Sequence, residues 1–432
     1  MILLIAALLS SCTQDEPYII DEREAIFKVE IPSYTESEDN PLPNYILTSK
    51  RYQYYDGCLY FMNGASQNNY VLPLTIMENY SPTTLVRMNI RTGNITTLCP
   101  DPLCMHTTVD CPFSGVISYF YIEDGIVLYH RRYQEYNASR RTSESVRQIC
   151  TYDIANMKMT VLKEEEIVST KSYAEYAHKL YNPQTKQYYY CDYAYNEEQD
   201  VYQWAIMRMD ITTGKEEILI MNEAGSMTER YLFLVNDRIY FTDTFCIYST
   251  DLDLNDKQVH LKGNFPTHEK IYTNGKFIFY SVQQEDESFR IYRVDMDGQN
   301  CIDLQINTIT DWLVTEKYIY FMPPNWVSIP STDADIHFYT DKIYRCNHDG
   351  SNQTLVVKTE YGENGNYLQI NGLNAIGNYL YCNYYTFTDL NSDGICDIPT
   401  EYLTNYNTLY DFHFLRIDTT TGEMVKLYVP DV

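Results

Sequence analysis

A pair of short segments recurs seven times along this 432-residue chain. In the first segment a turn leads into a Tyr-rich strand, and its copies lie at 55–62, 123–130, 185–192, 236–243, 274–281, 315–322 and 376–383. In the second, an apolar strand meets a turn of Asp, Asn, Thr or Gly and then a polar strand, and its copies lie at 85–98, 149–162, 206–219, 247–261, 291–304, 343–356 and 414–427. Such turn residues tolerate the positive φ that tight hairpins require. Each repeat therefore predicts a unit of antiparallel strands.

Four-stranded units with no helical periodicity between them are typical of a β-propeller, whose blades bury their faces against their neighbours. We predict an all-β fold, a β-propeller of seven blades of four antiparallel strands each, with six or eight blades as alternatives. The propeller is assigned to residues 46–432, and because the copies lie about 40 to 70 residues apart, the ring must also carry long loops. A series of β-sandwiches would lack this regular pairing of turns.

Tyrosine dominates the composition, with 44 copies against 17 glycines. Tyr suits half-buried strands, because it buries its ring and keeps its hydroxyl in water. The formal net charge of −27 argues against nucleic acid and anionic lipid as partners, since clustered Lys and Arg bind both. Four of the twelve cysteines lie in apolar strand-like runs, where a thiol packs as a small hydrophobe: Cys150, Cys191, Cys346 and Cys382.

The first twelve residues, MILLIAALLSSC, place an apolar run and small residues before a cysteine. The run is too short to span a bilayer. It resembles a bacterial lipoprotein signal, which implies that residues 1–11 are removed and that Cys12 carries lipid; an ordinary secretory signal is the alternative. The chain is then expected in the bacterial cell envelope, at the outer face of a membrane. Residues 12–45 are predicted to form an acidic tether, in which AIFKVEI (25–31) is a candidate strand for closing the ring in the last blade.

The hairpin segments IYRVDMDG (291–298) and IYRCNHDG (343–350) resemble those of extracytoplasmic β-propellers in bacterial lipoproteins of unknown function. In its hairpin pattern, that family resembles TolB-type and low-density-lipoprotein-receptor-type propellers. The Tyr-Trp-Thr-Asp signature of the receptor propellers is reduced here to its ends, Tyr292 and Asp295. The resemblance covers nearly the whole mature chain but rests on a hairpin pattern, so it implies the fold and not a ligand.

The segment DLNSDGICD (389–397) has the spacing of a calcium loop, with a glycine at position six. Its candidate ligands are four side chains and one main-chain carbonyl: Asp389, Asn391, Asp393, Asp397 and the carbonyl of Ile395. Ca²⁺ takes six to eight oxygen ligands, and the glycine permits the sharp turn that directs them inward. Thr400 stands where an EF-hand has its bidentate Glu, so the segment is more similar to calcium loops of dockerins and propeller hairpins. An ion-free Asp/Asn turn is the alternative.

The segment LCPDPLCMHTTVDCPF (98–113) spaces three cysteines and a histidine as Cys99-x4-Cys104-x-His106-x4-Cys111. Three thiolates and an imidazole are a sufficient tetrahedral set for Zn²⁺. Outside the cell a disulfide competes with metal binding, and free thiols are the third alternative. Four protein ligands would close a zinc site to substrate, so we expect a structural staple here and no catalysis.

Catalytic fingerprints are missing from the sequence. It contains no Gly-x-Ser-x-Gly elbow, no His-Glu-x-x-His motif, no phosphate-binding glycine loop and no dinucleotide fingerprint. We therefore expect a lipid-anchored binding or scaffolding module for an envelope protein or a glycan, which uses the propeller face and Tyr-rich loops for recognition. The alternative is an extracellular glycan- or peptide-active hydrolase whose acidic residues meet at the propeller axis.

Overall fold

The strands of this protein form seven antiparallel sheets. The computed structural model describes residues 27–28, 52–63, 84–89, 92–100, 110–137, 142–166, 179–182, 184–221, 232–235, 238–242, 246–253, 255–262, 271–285, 288–308, 311–323, 342–358, 367–387 and 411–427. Within these ranges there is no helix long and apolar enough to cross a membrane.

Each sheet is one blade, built from strands that follow one another in the chain. Blade 1 contains β2 (Tyr52–Tyr55), β3 (Cys58–Asn63), β4 (Thr84–Asn89) and β5 (Asn94–Thr97); blade 2 contains β6 (Val116–Glu123), β7 (Ile126–Asn137), β8 (Thr142–Asp153) and β9 (Lys158–Glu166); blade 3 contains β10 (Lys179–Asn182), β11 (Gln187–Asn196), β12 (Val201–Asp210) and β13 (Glu216–Met221); blade 4 contains β14 (Leu232–Val235), β15 (Arg238–Thr242), β16 (Cys246–Asp251) and β17 (Gln258–Lys262); blade 5 contains β18 (Ile271–Thr273), β19 (Phe277–Gln283), β20 (Phe289–Asp295) and β21 (Ile302–Thr308); blade 6 contains β22 (Trp312–Val314), β23 (Ile319–Phe321), β24 (Lys342–Cys346) and β25 (Thr354–Lys358); blade 7 contains β26 (Tyr367–Ile376), β27 (Tyr379–Phe387), β28 (Asp411–Asp418) and β29 (Met424–Leu427). The prediction of an all-β propeller with seven blades of four antiparallel strands is confirmed.

The N-terminal strand does not close the ring as predicted. Phe27–Lys28 forms β1, which pairs with β5 at the outer edge of blade 1 through Phe27↔Ile95 and Lys28↔Asn94. Blade 7 takes all four of its strands from residues 367–427. The prediction that AIFKVEI completes the last blade is therefore wrong. The open edge of β5 offers unpaired backbone groups, and a nearby strand satisfies them.

The short turns between first and second strands follow from their sequences. Asp56 and Gly57 have φ of 46° and 72°, and Asp124 and Gly125 have φ of 49° and 71°. Two successive residues with positive φ are the mark of a type I′ turn, whose twist matches that of a β-hairpin. These two Asp-Gly pairs therefore form the tight turns that join the first and second strands of blades 1 and 2.

The apolar core lies between neighbouring blades. One cluster joins blades 1 and 2 around Phe113 and Tyr129, and the next joins blades 2 and 3 around Tyr119 and Tyr188. Further clusters join each following pair up to blade 7. The four cysteines predicted to pack as hydrophobes are all buried. Burial of tyrosine rings between sheets explains much of the high tyrosine content.

A β-bulge recurs between the third and fourth strands of five blades. It falls at the same place in the repeat, between the first two residues of each second segment: Ile149/Cys150, Ile206/Met207, Ile247/Tyr248, Ile291/Tyr292 and Ile343/Tyr344. The bulge leaves residues of the outer strand outside the pairing register, which redirects their backbone groups.

Carbonyl groups at these bulges face hairpin glycines of the next blade. A Cβ placed on Gly214 would lie 3.2 Å from the oxygen of Leu162, and one on Gly422 would lie 2.9 Å from the oxygen of Val356. Two further junctions pair a glycine and a carbonyl still more closely, Gly298 with His260 and Gly350 with Leu304. Glycine at the hairpin therefore permits a close approach of neighbouring blades.

Arginines on the third strands form a second link between blades. The Nη1 groups of Arg208, Arg293 and Arg345 donate to main-chain carbonyls in the hairpin of the following blade, over 2.8, 3.2 and 3.1 Å. Two of these guanidinium groups also lie over aromatic rings of their own blades, Arg293 over Phe277 and Arg345 over Tyr318. Each arginine thus holds a hairpin of the adjacent blade in register.

Candidate functional site

Most of the predicted site residues lie outside the described residues. These are the lipidation residue Cys12, the proposed calcium ligands Asp389, Asn391, Asp393, Ile395 and Asp397, and the two central members of the cysteine segment, Cys104 and His106. For all of them the sequence predictions stand as predictions. Among the described residues, no group of three or more His, Cys, Asp or Glu side chains is placed to hold a metal ion.

The two outer cysteines of the 98–113 segment come together. The Sγ atoms of Cys99 and Cys111 lie 3.8 Å apart, and both side chains are buried in the cluster that joins blades 1 and 2. Cys99 follows β5, and Cys111 precedes β6, so the pair sits where the chain passes from one blade to the next.

Polar contacts fix the backbone on both sides of the cysteine pair. Arg131 Nη1 donates to the Cys111 carbonyl over 2.6 Å and to Ser114 Oγ over 3.2 Å. The hydroxyl of Tyr152 donates to the Leu98 carbonyl over 3.0 Å. The buried guanidinium and the tyrosine hydroxyl therefore hold the two chain segments at a set distance.

The described residues of the inner strands show which side chains line the centre of the propeller. Among their described residues, β2, β6, β10, β14, β18, β22 and β26 contain one carboxylate, Glu123, and no histidine. The hydroxyl of Tyr121 donates to this carboxylate over 3.0 Å, and the Tyr121 ring lies 5.1 Å from that of Tyr181 on the next inner strand. This part of the inner wall combines two neighbouring tyrosine rings with one carboxylate.

A charged cluster is buried between blades 2 and 3. Arg147 Nη2 bonds both Glu165 and Asp192, and Arg147 and Asp192 are almost fully buried. Lys163 Nζ lies 2.9 Å from Glu216 Oε1 and 3.7 Å from Asp192 Oδ2. The two cations and three carboxylates compensate one another, as buried charges require.

His130 extends this cluster towards the apolar core. Its Nε2 lies 2.6 Å from the Tyr188 hydroxyl, and its Nδ1 has no hydrogen-bond partner among the described residues although the side chain is 1% exposed. Burial lowers the pKa of His130 well below its ordinary value, and the positive charges of Lys179, Arg147 and Lys163 lower it further. His130 is therefore neutral in the folded protein at neutral pH.

Acidification is expected to destabilise the protein through His130. Folding lowers the pKa of His130, so below the unfolded pKa the unfolded chain binds a proton that the folded chain does not. The free energy of unfolding is therefore highest above the unfolded pKa and decreases as the pH falls below it. One such group contributes a slope of up to about 1.4 kcal/mol per pH unit below about pH 6.5. Urea denaturation of wild type and His130→Gln at several pH values measures this slope.

Part of the pH dependence of the free energy of unfolding should remain in His130→Gln. Burial also lowers the pKa values of His260 and His348, so these two residues still contribute to it. His130→Gln should therefore flatten the pH dependence without abolishing it. An identical slope in the two proteins would contradict the assignment of a buried neutral His130.

An aromatic ladder covers one face of the β11–β12 hairpin. Tyr193 is paired with Trp204 and Tyr195 with Tyr202, and their ring centroids lie 4.5 and 5.3 Å apart. Residues two apart on a strand share a face, so the four rings form one surface. Tyr195 is 46% exposed and Tyr202 is 58% exposed, which makes this the outer end of the ladder.

The hairpin around the ladder is acidic and carries amide groups. Glu197, Glu198 and Asp200 are exposed at its turn, and no Lys or Arg occurs from 187 to 207. Asp200 accepts a hydrogen bond from the Tyr195 hydroxyl, and Gln203 Oε1 accepts one from Asn196 Nδ2 over 2.9 Å. The sequence predicts recognition by Tyr-rich loops in general, and the strand pairing of this hairpin places these four rings on one face.

Seven contiguous four-stranded blades define the chain as a seven-bladed β-propeller. No protein-family model matches the sequence, and no curated protein shows significant similarity to it. Among solved structures the chain is similar to a puromycin-hydrolyzing peptidase of Mycobacterium tuberculosis, with 10% identity, a TM-score of 0.50 and coverage of 92% of this chain and 56% of that one.

Two further structures match the chain. Acylaminoacyl peptidase of Pyrococcus horikoshii matches with 12% identity, a TM-score of 0.50 and coverage of 88% of this chain and 52% of that one. TolB of Acinetobacter baumannii matches with 13% identity, a TM-score of 0.33 and coverage of 64% of this chain and 76% of that one. The chain spans about half the length of each peptidase. At such low identity the likeness to the peptidases indicates the fold alone.

Proposed function

We propose that this chain is a lipid-anchored extracytoplasmic β-propeller that binds a glycan or protein ligand at the bacterial cell envelope. The observation that carries the proposal is the exposed aromatic ladder on the β11–β12 hairpin. Large exposed aromatic side chains on a rigid scaffold are a common basis for recognition. Binding removes much of their apolar area from water, and the cost in side-chain entropy is small.

The geometry of the ladder suits a flat, partly apolar ligand. Tyr and Trp rings stack against the C–H faces of sugar rings or against apolar side chains, while tyrosine hydroxyl groups supply hydrogen bonds at the edge. The hydroxyl of Tyr195 and the carboxylate of Asp200, joined by a hydrogen bond, lie at the exposed end of the ladder. A glycan satisfies both the apolar and the polar part of such a surface.

The charge of the hairpin restricts the ligand. Glu197, Glu198 and Asp200 would repel polyanions, and no Lys or Arg occurs from 187 to 207 to offset them. We therefore expect a neutral or positively charged ligand and no binding of nucleic acid.

The proposed attachment rests on the N-terminal sequence. An apolar run followed by Ser10, Ser11 and Cys12 supports cleavage before Cys12 and its lipidation, which would hold the propeller at the outer face of a membrane. The acidic residues 12–45 would then separate the binding surface from the bilayer. The alternative function, a hydrolase with acidic residues at the axis, gains no support from the described inner strands, which carry a single carboxylate.

Tyr202→Ala is expected to reduce ligand binding at least about tenfold and to leave thermal stability nearly unchanged, because the ring is mostly exposed. The full chain is tested on an array of neutral and uronate-containing glycans, and by capture from envelope extract for a protein ligand. Signal on neutral glycans that is lost in the variant is the expected outcome.

Leu355→Ala is the matched control, because Leu355 on β25 of blade 6 is 50% exposed and lies on another blade. This variant should bind as the wild type does. If Tyr202→Ala and Leu355→Ala retain the same binding to every glycan and captured protein, the ladder is not the recognition surface.

A further inference from the structure

We infer that the aromatic ladder binds a glycan whose sugar rings carry protonated amino groups, with the Asp200 carboxylate as the partner of an ammonium group. This ligand class presupposes that the ladder is the recognition surface, as proposed above. Tyr195 and Tyr202 are the most exposed aromatic side chains among the described residues. The Tyr195 hydroxyl donates to the Asp200 carboxylate, so a negative charge is fixed at the edge of this exposed ring pair.

The turn that carries the charge is held by its own hydrogen bonds. Asn196 Oδ1 accepts the N–H groups of Glu198 and Gln199 over 3.0 and 3.2 Å. Strands β11 and β12 pair without interruption as far as Asn196 and Val201, on either side of the turn. Glu197 and Glu198 add two further exposed carboxylates there. The charges therefore stand on a closed hairpin, and binding has little backbone left to order.

A cation is the ligand group that both the rings and the carboxylates attract. An ammonium group over an aromatic face is attracted by the electron density of the ring, and a phenol that donates to a carboxylate is polarised further in this direction. The chain itself uses this pairing on blade 4, where Lys257 Nζ lies 4.1 Å from the centroid of the Tyr248 ring. Residues 187–207 include no Lys or Arg, so we expect the ligand to bring the cation to the ladder.

An amino sugar presents its charge and its apolar surface on one rigid ring. The C–H face of the sugar can stack on Tyr202 while the ammonium group bonds the Asp200 carboxylate, which also accepts the Tyr195 hydroxyl. A lysine side chain offers the same charge at the end of a flexible stem, and ordering that stem costs conformational entropy. The surface therefore favours a glycan with free amino groups over a basic peptide.

Two matched oligosaccharides test the ligand class. A hexamer of β-1,4-linked glucosamine and the same hexamer with every amino group acetylated share a sugar backbone and differ in charge. Titration calorimetry with the full chain measures both affinities at about pH 6, where the carboxylates are ionised and amino groups are protonated. We expect the glucosamine hexamer to bind at least about tenfold more tightly, and added salt to reduce this preference.

Asp200→Asn separates the charge from the structure of the turn. Asn keeps an oxygen that accepts the Tyr195 hydroxyl but loses the negative charge. The variant should reduce the ratio of the two affinities at least about threefold. Asp253→Asn is the matched control, because Asp253 is an exposed carboxylate on blade 4 and its replacement removes the same charge from the chain. The control variant should keep the full preference for the glucosamine hexamer.

The outcomes distinguish this inference from the proposed function. A glucosamine hexamer that binds no more tightly than the acetylated one, or an unchanged ratio in Asp200→Asn, would overturn the inference. The ladder would remain the recognition surface if Tyr202→Ala still abolished ligand binding, whereas binding that Tyr202→Ala leaves intact would overturn the proposed function too. A lysine hexamer that binds more tightly than the glucosamine hexamer would make a basic peptide the ligand and would also contradict the inference.

Discussion

Gly298→Ala is expected to lower the free energy of unfolding by about 3 kcal/mol or more, although it adds only one methyl group. The new Cβ would lie 2.6 Å from the carbonyl carbon of His260 and nearer still to its oxygen. Gly298 also has a φ of 83°, where a side chain is strained. The neighbouring backbone cannot easily give way, because β17 is paired with β16 and the Gly298 N–H donates to the Asp295 carbonyl over 2.9 Å. Urea denaturation measures the loss.

Gly275→Ala is the matched control for the effect of backbone conformation. Gly275 has a φ of 79°, close to that of Gly298, but no atom lies within 4 Å of its added Cβ. The control variant should therefore cost only the conformational penalty, about 1 kcal/mol. Gly350→Ala, which meets the Leu304 carbonyl at the next junction, should behave like Gly298→Ala. If Gly275→Ala is as destabilising as Gly298→Ala, the contact between blades is not what requires the glycine.

The repeat unit could be predicted from the sequence because its signals are local. Turn residues such as the Asp-Gly pairs specify turns within a few residues, and the apolar runs specify the strands, so counting the recurring paired segments predicted seven blades. The docking of Gly298 on His260 could not be predicted in this way. It depends on a bulge in one blade and a hairpin in the next, and neither turn chemistry nor hydrophobic pattern sets their relative position.

The same distinction applies to the candidate sites. The spacing of Cys99 and Cys111 identified them as candidates, but their 3.8 Å separation depends on how blade 1 meets blade 2. The recurrence of arginine at the third position of most second segments was visible in the sequence and could have indicated the contacts of Arg293 and Arg345. Arg147 and Asp192 carry no such signal, because each reads as an ordinary surface charge until two blades place them together.

Asp192→Ala is expected to destabilise the protein by about 3 to 5 kcal/mol, because removing one partner of a buried ion pair leaves the other charge without full compensation. Asp192 is 2% exposed, and its carboxylate contacts Arg147 and accepts the Tyr193 N–H over 2.7 Å. Glu165 still compensates Arg147 in the variant, which places the expected loss at the lower end of this range. Urea denaturation at neutral pH measures it.

An exposed ion pair of the same chain supplies the control. Asp253 is 76% exposed and lies 3.4 Å from Arg208, so Asp253→Ala should change stability by no more than about 0.5 kcal/mol. The double variant Arg147→Met with Asp192→Leu should cost less than the sum of the two single changes, since both changes remove the same pair and Lys163, 3.7 Å from Glu165, still compensates that carboxylate. Additive losses would mean that the two side chains act independently and that the cluster between blades 2 and 3 is not held by their pairing.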